Sequence, residues 1–476
     1  MELPIETWLR HRGSAESNFQ CILRRKRSLN VVHFSVLMSE LQAKCRDETV
    51  LAELRRSYGV ARSLPPKCLA AVFMHPSFNY WSKITQRLLP FLSGGQEIPS
   101  HLTDHLRGVA GAEADPLCFH LADINRFLIA AALMAGAEVS LPCPVHDGWL
   151  SLPGLGSRVA CAEVGMVQVT SYGIPSRSFR FGVGPPINLN SLLTECGERE
   201  EGFLCCDRLE VLPIVNGSAG TIFLDPWDPY FRNVWHKNTF PGGVHVFDVA
   251  GTELKQWQET IRESLGLLQT VWPEMEAEIS ALVHTIVPVN SPIGGMNYSC
   301  SSDDFWGAIL CSFDPASILA EVLVHEFGHI LLFELLEIHG VFAKDSPKES
   351  DYYSPWRPDP RPLLGLLHAV YTFALVAEYY RRMLRRAPSN TGFRERYSLI
   401  LGKLERGIRV LAESAKFNAT GTVFFDSLVR SIRCQRESGE WISTEAIETS
   451  LDEHLSIWKQ RHPAHRTPLF CSVGSG

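Results

Sequence analysis

The sequence lacks the long apolar blocks that direct a chain into or across a membrane. Charged residues interrupt every apolar candidate near the start of the chain, so no secretory signal is predicted there. The longest apolar stretches, Phe127–Ala137 and Leu363–Ala377, fall short of the roughly 20 residues that a bilayer core requires. We therefore expect a cytoplasmic protein that does not contact a membrane.

Signatures of disulfide frameworks and of nucleic-acid binding are also scarce. The 13 cysteines form no C-x-x-C pair, and an odd number cannot all pair within one chain, so we expect reduced thiols. The net charge of −7 argues against a general nucleic-acid binder. With 476 residues, of which 45% are hydrophobic, the chain is long and apolar enough for two or three domains with ordinary cores.

The hydrophobic pattern changes twice along the chain and predicts an α+β fold. Helical spacing dominates up to about Gly136, short β-rich pieces such as TIFL (221–224) follow, and helical spacing returns after Gly251. From these changes we predict a helical N-terminal region over 1–138, a β-rich middle region over 139–250, a mainly helical catalytic region over 251–460 and a flexible tail over 461–476.

The stretch LVHEFGHILLF (323–333) is the clearest chemical signal in the sequence. It lies in an apolar segment without proline that predicts one helix from Ile318 to Ile338. His325 and His329 are one turn apart on that helix and therefore share one face. Two imidazoles at this spacing can bind one metal ion, as in the zincin-like helix of HExxH metallopeptidases. We predict a metal site here.

The third ligand separates the possible chemistries. The metzincin extension is excluded, because its glycine and histidine positions are Leu332 and Leu335. Peptidases that use a glutamate place it on a following helix, and Glu349 is available, although Ser346 and Pro347 before it predict a capping box that already occupies it. The competing candidate is His368, a lone histidine in an apolar helical segment. Such a histidine is more often a core residue, so both alternatives stay open on spacing alone.

The segment YYSPWRPDPRPLLGLLHAVYTFALVAEYY (352–380), together with HEFGH, resembles the HExxH-motif family of bacterial 2-oxoglutarate-dependent peptide β-hydroxylases. MHPSFNYW (74–81), the segment 121–156 and LDPWDPYFRN (224–233) are similar to features of that family in the same order. The resemblance covers most of the chain apart from about the first forty residues and the tail.

The resemblance implies Fe(II), 2-oxoglutarate and dioxygen, and hydroxylation, at Cβ, of a residue in a ribosomally synthesised precursor peptide. It implies that His325 and His329 bind the metal and that His368 is the third ligand. The sequence departs from the family pattern at Ala369, where the family leads us to expect glycine. That extra methyl group narrows the space beside the metal without removing a ligand.

A 2-oxoglutarate enzyme also needs a cation for the distal carboxylate of the cosubstrate, and a planar guanidinium suits that carboxylate best. Arg357 and Arg361 lie on a proline-rich loop directly before the segment of His368. We expect at least one of them to bind the cosubstrate. The alternative is that each arginine pairs with Asp359 or Glu349.

Glu326 distinguishes an oxygenase from the main alternative, a zinc metallopeptidase. In a peptidase Glu326 is the general base that acts on the metal-bound water. An oxygenase needs no such base, so there Glu326 orients a ligand or a water molecule.

A further alternative is a peptide-binding module without catalysis. The segment from Tyr380 to Val410 is strongly basic, which fits either a docking site for an acidic peptide or a solvated helix face. The arginines that suggest docking are Arg381, Arg382, Arg385 and Arg386.

Overall fold

The computed structural model describes residues 15–93, 97–110, 115–161, 165–173, 178–181, 186–188, 209–233, 246, 252–290, 298–349 and 351–463. Most of the predicted tail lies outside the described residues. The chain divides into two compact units. The helical unit comprises Met1–Asn18, Ser264–Ile279 and Ala316–Gly476, and the mixed unit comprises Phe19–Glu263 and Ser280–Pro315.

The predicted α+β fold is confirmed, because long helices and several small sheets occur in the described residues. The helices are α1 (Ala15–Lys44), α2 (Glu48–Ser63), α3 (Pro66–Val72), α4 (Pro76–Leu88), α5 (Ser100–Ala110), α6 (Pro116–Ala122), α7 (Ile124–Ala135), α8 (Pro229–Asn233), α9 (Thr252–Val271), α10 (Pro273–Leu282), α11 (Ala316–Ile338), α12 (Leu363–Arg386), α13 (Thr391–Ser414), α14 (Ala419–Glu437) and α15 (Glu445–Arg461). A short 3₁₀ helix covers Asp303–Phe305.

All strands found in the described residues belong to the mixed unit. They are β1 (Val139–Val145), β2 (Trp149–Leu152), β3 (Ser157–Ala160), β4 (Gly165–Tyr172), β5 (Ser178–Phe181), β6 (Ile187–Asn188), β7 (Leu209–Val211), β8 (Ile214–Asn216), β9 (Thr221–Leu224), β10 (Thr285–Pro288), β11 (Ser299–Cys300) and β12 (Ala308–Cys311). They form three sheets in the orders β1-β4-β5-β6, β2-β3-β7 and β11-β12-β10-β9-β8. The last is mixed, because β10 runs parallel to both β9 and β12.

Helix α7 forms the centre of the mixed unit. Its sequence, INRFLIAAALMA, is apolar on nearly every face, and a helix of this kind is stable only when it is buried. Leu128 and Ile129 are fully buried, and α7 contacts α3, β1 and β2. The helix ends at Gly136, whose positive φ of 64° provides the left-handed C-cap.

Within the N-terminal region of helical spacing, a proline interrupts one segment. The segment Cys68–Leu92 has continuous helical spacing, but α3 ends at Val72 and α4 begins at Pro76. Pro76 disfavours helical backbone in the residue before it, and His75 is accordingly extended at φ −62° and ψ 132°. His75 becomes the N-cap of α4, which fixes the position of its imidazole.

In the helical unit, α12 packs against α11, α13 and α14. Gly328 of α11 permits close approach to α12, because a Cβ atom at this position lies only 3.0 Å from Thr372 Cγ2 and 3.1 Å from Leu375 Cδ1. The two helices that carry the predicted histidines therefore meet at a glycine within the HEFGH motif.

Within the part of the chain that the structure describes, three helical segments are long and apolar enough, by length and composition alone, to cross a membrane: Pro116–Ala135, Ala316–Ile338 and Leu363–Arg386. By these criteria, the expectation from the sequence that no segment is long enough to cross a membrane is wrong. In the structure 78%, 61% and 67% of their apolar windows are buried inside the protein. The cytoplasmic location stays a prediction.

Candidate metal centre

Helices α11 and α12 bring two of the three predicted ligands into contact. The Nδ1 atoms of His329 and His368 are 3.0 Å apart, and their rings are stacked with centroids 5.2 Å apart. Two histidines that are 39 residues apart in the sequence therefore present ring nitrogens to the same point. His368 is 9% exposed, which places this contact at the edge of the core.

His325 lies beside this pair. Its ring centroid is 4.9 Å from that of His329 and 4.6 Å from that of Phe373, which stacks on Trp356 at 5.0 Å. The Nδ1 atom of His325 and the Nε1 atom of Trp356 are buried and have no hydrogen-bond partner among the described residues. Unsatisfied buried polar atoms are costly, so these two atoms fit a bound group that would complete their hydrogen bonding or ligation.

Burial keeps His325 and His329 neutral. Burial lowers the pKa of His325 to about 4, and the positive charge of Arg396 lowers it further. Burial and the two neighbouring histidines lower the pKa of His329 well below its ordinary value. A neutral imidazole keeps the lone pair that a metal ion requires.

The three histidines do not yet form a closed ligand set. Their ligating nitrogens do not all lie within 4.8 Å of one another. Among the described residues, another group of side chains has its ligand atoms within that distance, and it is described below. A three-ligand site therefore requires at least one of the three rings to move.

Arg396 of α13 is the arginine whose charge acts on His325, and sequence reasoning missed it. Its guanidinium donates to Glu321 Oε1 at 2.5 Å, and Glu321 also accepts a hydrogen bond from the Tyr380 hydroxyl. Glu321 precedes His325 by one helical turn, so the ion pair borders the metal helix. The only sequence signal for Arg396 was its place in the basic segment after Tyr380.

The predicted cosubstrate arginines both contact Asp359. Arg357 Nε is 3.2 Å from Asp359 Oδ1, and Arg361 Nη1 is 3.3 Å from Asp359 Oδ2. The alternative considered for each arginine is therefore present in the structure. The side chains remain 58% and 38% exposed, so both guanidinium groups can still reach a ligand from solvent.

Glu326 and Glu349 lie in different surroundings. Glu326 is 3% exposed on α11 and directly follows His325 in the sequence. Glu349 is exposed, and the capping box predicted around it is wrong, because Ser346 and Pro347 do not begin a helix. Ser346 Oγ instead accepts a hydrogen bond from Lys416 N at 3.2 Å.

The basic residues proposed for peptide docking are largely neutralised within the protein. Glu378 pairs with Arg381 at 2.6 Å and with Arg382 at 2.8 Å, and Glu440 pairs with Arg385 at 3.2 Å. This arrangement favours the solvated helix face over a docking site for an acidic peptide.

Sequence reasoning also missed a second cluster, in the mixed unit. His75, Asp225 and Asp228 are buried, and they offer three ligand atoms that all lie within 4.8 Å of one another. Burial and the neighbouring Asp228 raise the pKa of Asp225 to about 7, and burial lowers the pKa of His75 to about 3. The signals were present in MHPSFNYW and LDPWDPYFRN, which we noted only as points of resemblance.

Comparison with family models and with curated proteins gives no match for this chain. The resemblance to the peptide β-hydroxylases therefore depends on the motifs alone. No family assignment follows.

Proposed function

We propose that this protein is an Fe(II)- and 2-oxoglutarate-dependent oxygenase that hydroxylates a residue of a ribosomally synthesised precursor peptide. The observation that supports it most directly is the 3.0 Å contact between His329 and His368. A site of three histidines fits this contact, whereas a peptidase site that uses Glu349 does not fit its exposed position. The Cβ position of hydroxylation rests on the resemblance.

His325, His329 and His368 are the residues that would hold the iron. Three protein ligands leave three of the six positions of Fe(II), which suits a bidentate 2-keto acid and dioxygen. When bound, iron with these cosubstrates supplies the oxidation of a C–H bond. The protein's own part is to keep His325 and His329 neutral, to enclose one side of the site with Phe373 and Trp356, and to bind the cosubstrate carboxylate.

The test is a cosubstrate assay with metal-loaded protein. Purified without oxygen, loaded with Fe(II) and then exposed to oxygen, the chain should convert 2-oxoglutarate to succinate, and a peptide substrate should gain the mass of one oxygen atom. His329→Ala and His368→Ala should abolish turnover and lower bound iron, since each removes a ligand. Iron-loaded protein that never forms succinate with any candidate peptide would contradict the proposal.

Glu326→Gln separates the oxygenase from the zinc peptidase. A peptidase that loses its general base should slow by about 10²–10⁴-fold. An oxygenase should keep appreciable succinate formation, because the buried Glu326 then only positions its neighbours. Peptide fragments from zinc-loaded protein, each pair heavier by one water molecule than the intact peptide, would favour the peptidase.

Three arginines are candidates for the distal carboxylate of 2-oxoglutarate. Replacement of the binding arginine by Gln should raise the apparent KM for 2-oxoglutarate without a matching loss of bound iron. Arg357→Gln and Arg361→Gln are compared with Asp359→Asn, which removes their ion pair but keeps both guanidinium groups. Arg396→Gln tests the arginine beside His325 in the same assay.

A further inference from the structure

We propose that His75, Asp225 and Asp228 form a second metal site, in the mixed unit, that binds one divalent first-row metal ion and stabilises that unit. The site uses none of the histidines of the HEFGH helix and does not depend on the proposed oxygenase activity. Its three ligand atoms are buried and lie within 4.8 Å of one another, which is close enough to surround a single ion.

Backbone hydrogen bonds hold both carboxylates in place. Asp225 follows β9, and its Oδ1 accepts hydrogen bonds from Trp227 N at 2.8 Å and from Asp228 N at 3.0 Å. Asp228 Oδ1 accepts from Tyr230 N at 2.9 Å. Each aspartate therefore uses Oδ1 for backbone hydrogen bonds, and the Ser77 side chain also interacts with the Asp228 carboxylate. Carboxylates held this way need little reorganisation on metal binding.

The ring of His75 is also fixed by the backbone. Its Nδ1 accepts a hydrogen bond from Ser77 N at 3.2 Å, and its Nε2 is 3.9 Å from Asp225 Oδ2. In the neutral ring the proton is then on Nε2. When a metal binds Nε2, the ring proton moves to Nδ1. Nδ1 can then no longer accept the hydrogen bond from Ser77 N, so metal binding competes with the capping of α4.

The arginines near the cluster balance its negative charge only in part: Arg158 favours the charged form of Asp225 and Arg126 that of Asp228, but neither forms an ion pair with these carboxylates. Arg126 is already paired with Asp123 at 2.5 Å, and Arg158 is paired with Glu210 at 2.5 Å. No lysine or arginine among the described residues forms an ion pair with Asp225 or Asp228. Two buried carboxylates without a cation of their own are unfavourable, and a divalent ion offsets both charges at once.

A small cavity lies where the ion is expected. The cavity has a volume of 20 Å³ and is lined by all three ligands and by Ser157. That volume accommodates one water-sized species. Ser157 is 4% exposed, and its Oγ has no hydrogen-bond partner among the described residues. A buried hydroxyl without a partner at this place points independently to a ligand, either the ion or a water molecule bound to it.

The donor set indicates the class of metal. One imidazole with two carboxylates suits Zn²⁺, Mn²⁺ or Fe²⁺ better than Mg²⁺ or Ca²⁺, which prefer oxygen ligands throughout. Because the ligands come from the N-cap of α4 and from the turn after β9, an ion between them cross-links two distant segments of the mixed unit.

The experiment uses the full chain carrying His329→Ala, stripped with EDTA and then titrated separately with Zn²⁺ and Mn²⁺. Metal content after dialysis and the Mn²⁺ electron paramagnetic resonance signal measure binding. We expect one ion per chain to remain in this variant, with a rise in thermal midpoint on loading. Loss of all bound metal in His329→Ala would overturn the second site while leaving the oxygenase proposal intact.

Asparagine substitutions provide matched variants. His75→Asn, Asp225→Asn and Asp228→Asn each keep a side-chain oxygen that can accept the same backbone hydrogen bonds, but they remove the imidazole or the charge. Each should weaken metal binding by about 100-fold or more. The exposed Asp345→Asn is the control and should leave binding unchanged.

The thermal midpoints of Asp225→Asn and Asp228→Asn, measured with and without metal, distinguish a metal site from a simple carboxylate pair. Without metal, Asp225→Asn and Asp228→Asn should raise the thermal midpoint, because they relieve repulsion between two buried carboxylates. With metal, the same variants should be less stable than their parent. Variants that are more stable under both conditions, with metal content unchanged, would show that the cluster is a carboxylate pair that shares a proton and not a metal site.

Discussion

At the scale of single residues, burial decides what the histidines of this protein can do. His120 illustrates the effect outside either metal site. It is 2% exposed, and both ring nitrogens have partners, with Thr85 Oγ1 at 3.0 Å and the Tyr230 hydroxyl at 3.3 Å. Burial lowers the pKa of His120 to about 4, although Asp123 raises it slightly.

This shift predicts a loss of stability in mild acid. The unfolded chain binds a proton at His120 as the pH falls below about 6.5, while the folded chain does so only near pH 4. The free energy of unfolding should therefore fall between these values, by at most about 3 kcal/mol from this residue. Urea unfolding of His120→Gln across that range should show a smaller pH slope than the parent protein.

The control for this prediction is His101→Gln, because His101 is exposed on α5. If the slope of His120→Gln equals that of the parent, the His120 imidazole is protonated equally in the folded and unfolded states. The explanation by burial is then wrong.

At the scale of secondary structure elements, the metal centre depends on how closely α11 and α12 approach. Gly328 lies between the two histidines of the HEFGH motif, at the point where a Cβ atom is 3.0 Å from Thr372 Cγ2. The glycine therefore serves packing across the helix pair, and the same packing places His329 against His368.

Gly328→Ala should separate the two helices by a few tenths of an ångström and weaken metal binding at the histidines. Alanine favours helix by about 1 kcal/mol over glycine, so the steric cost is partly offset and the chain should still fold. Co²⁺ titration, with its absorption spectrum as a report of ligand geometry, measures the effect.

The matched variant is Gly266→Ala in α9, where the new Cβ meets nothing within 4 Å. It should raise stability by about 1 kcal/mol and leave the Co²⁺ titration unchanged. Equal Co²⁺ affinity for Gly328→Ala and the parent would show that the helices need no close approach at this residue.

At the scale of the whole molecule, the composition of three apolar helices fits either a membrane span or a buried core helix. Between 61% and 78% of each candidate membrane window is buried by the rest of the protein. A helix whose apolar surface is already covered gains little from a lipid environment.

We therefore expect the expressed chain to remain in the soluble fraction without detergent. It should stay at the bottom of a density gradient when mixed with lipid vesicles. Flotation of most of the protein with vesicles of either neutral or anionic lipid would contradict this expectation and the predicted cytoplasmic location together.

The sequence by itself determined those features that depend on neighbouring residues. The apolar segment without proline predicted the helix of His325 and His329, and the structure forms it over Ala316–Ile338. The α+β class, the strand TIFL and the long helix of His368 follow from hydrophobic period and length in the same way. Local backbone propensity and amphipathic pattern act within a few turns, so a single sequence records them.

Only the tertiary structure decided which distant side chains meet. It placed His368 on His329, left Glu349 exposed, and paired Arg357 and Arg361 with Asp359. It also joined His75 to Asp225 and Asp228, which are about 150 residues away along the chain. Such contacts depend on helix packing and sheet order, which arise from the burial of many residues together, so no local pattern specifies them.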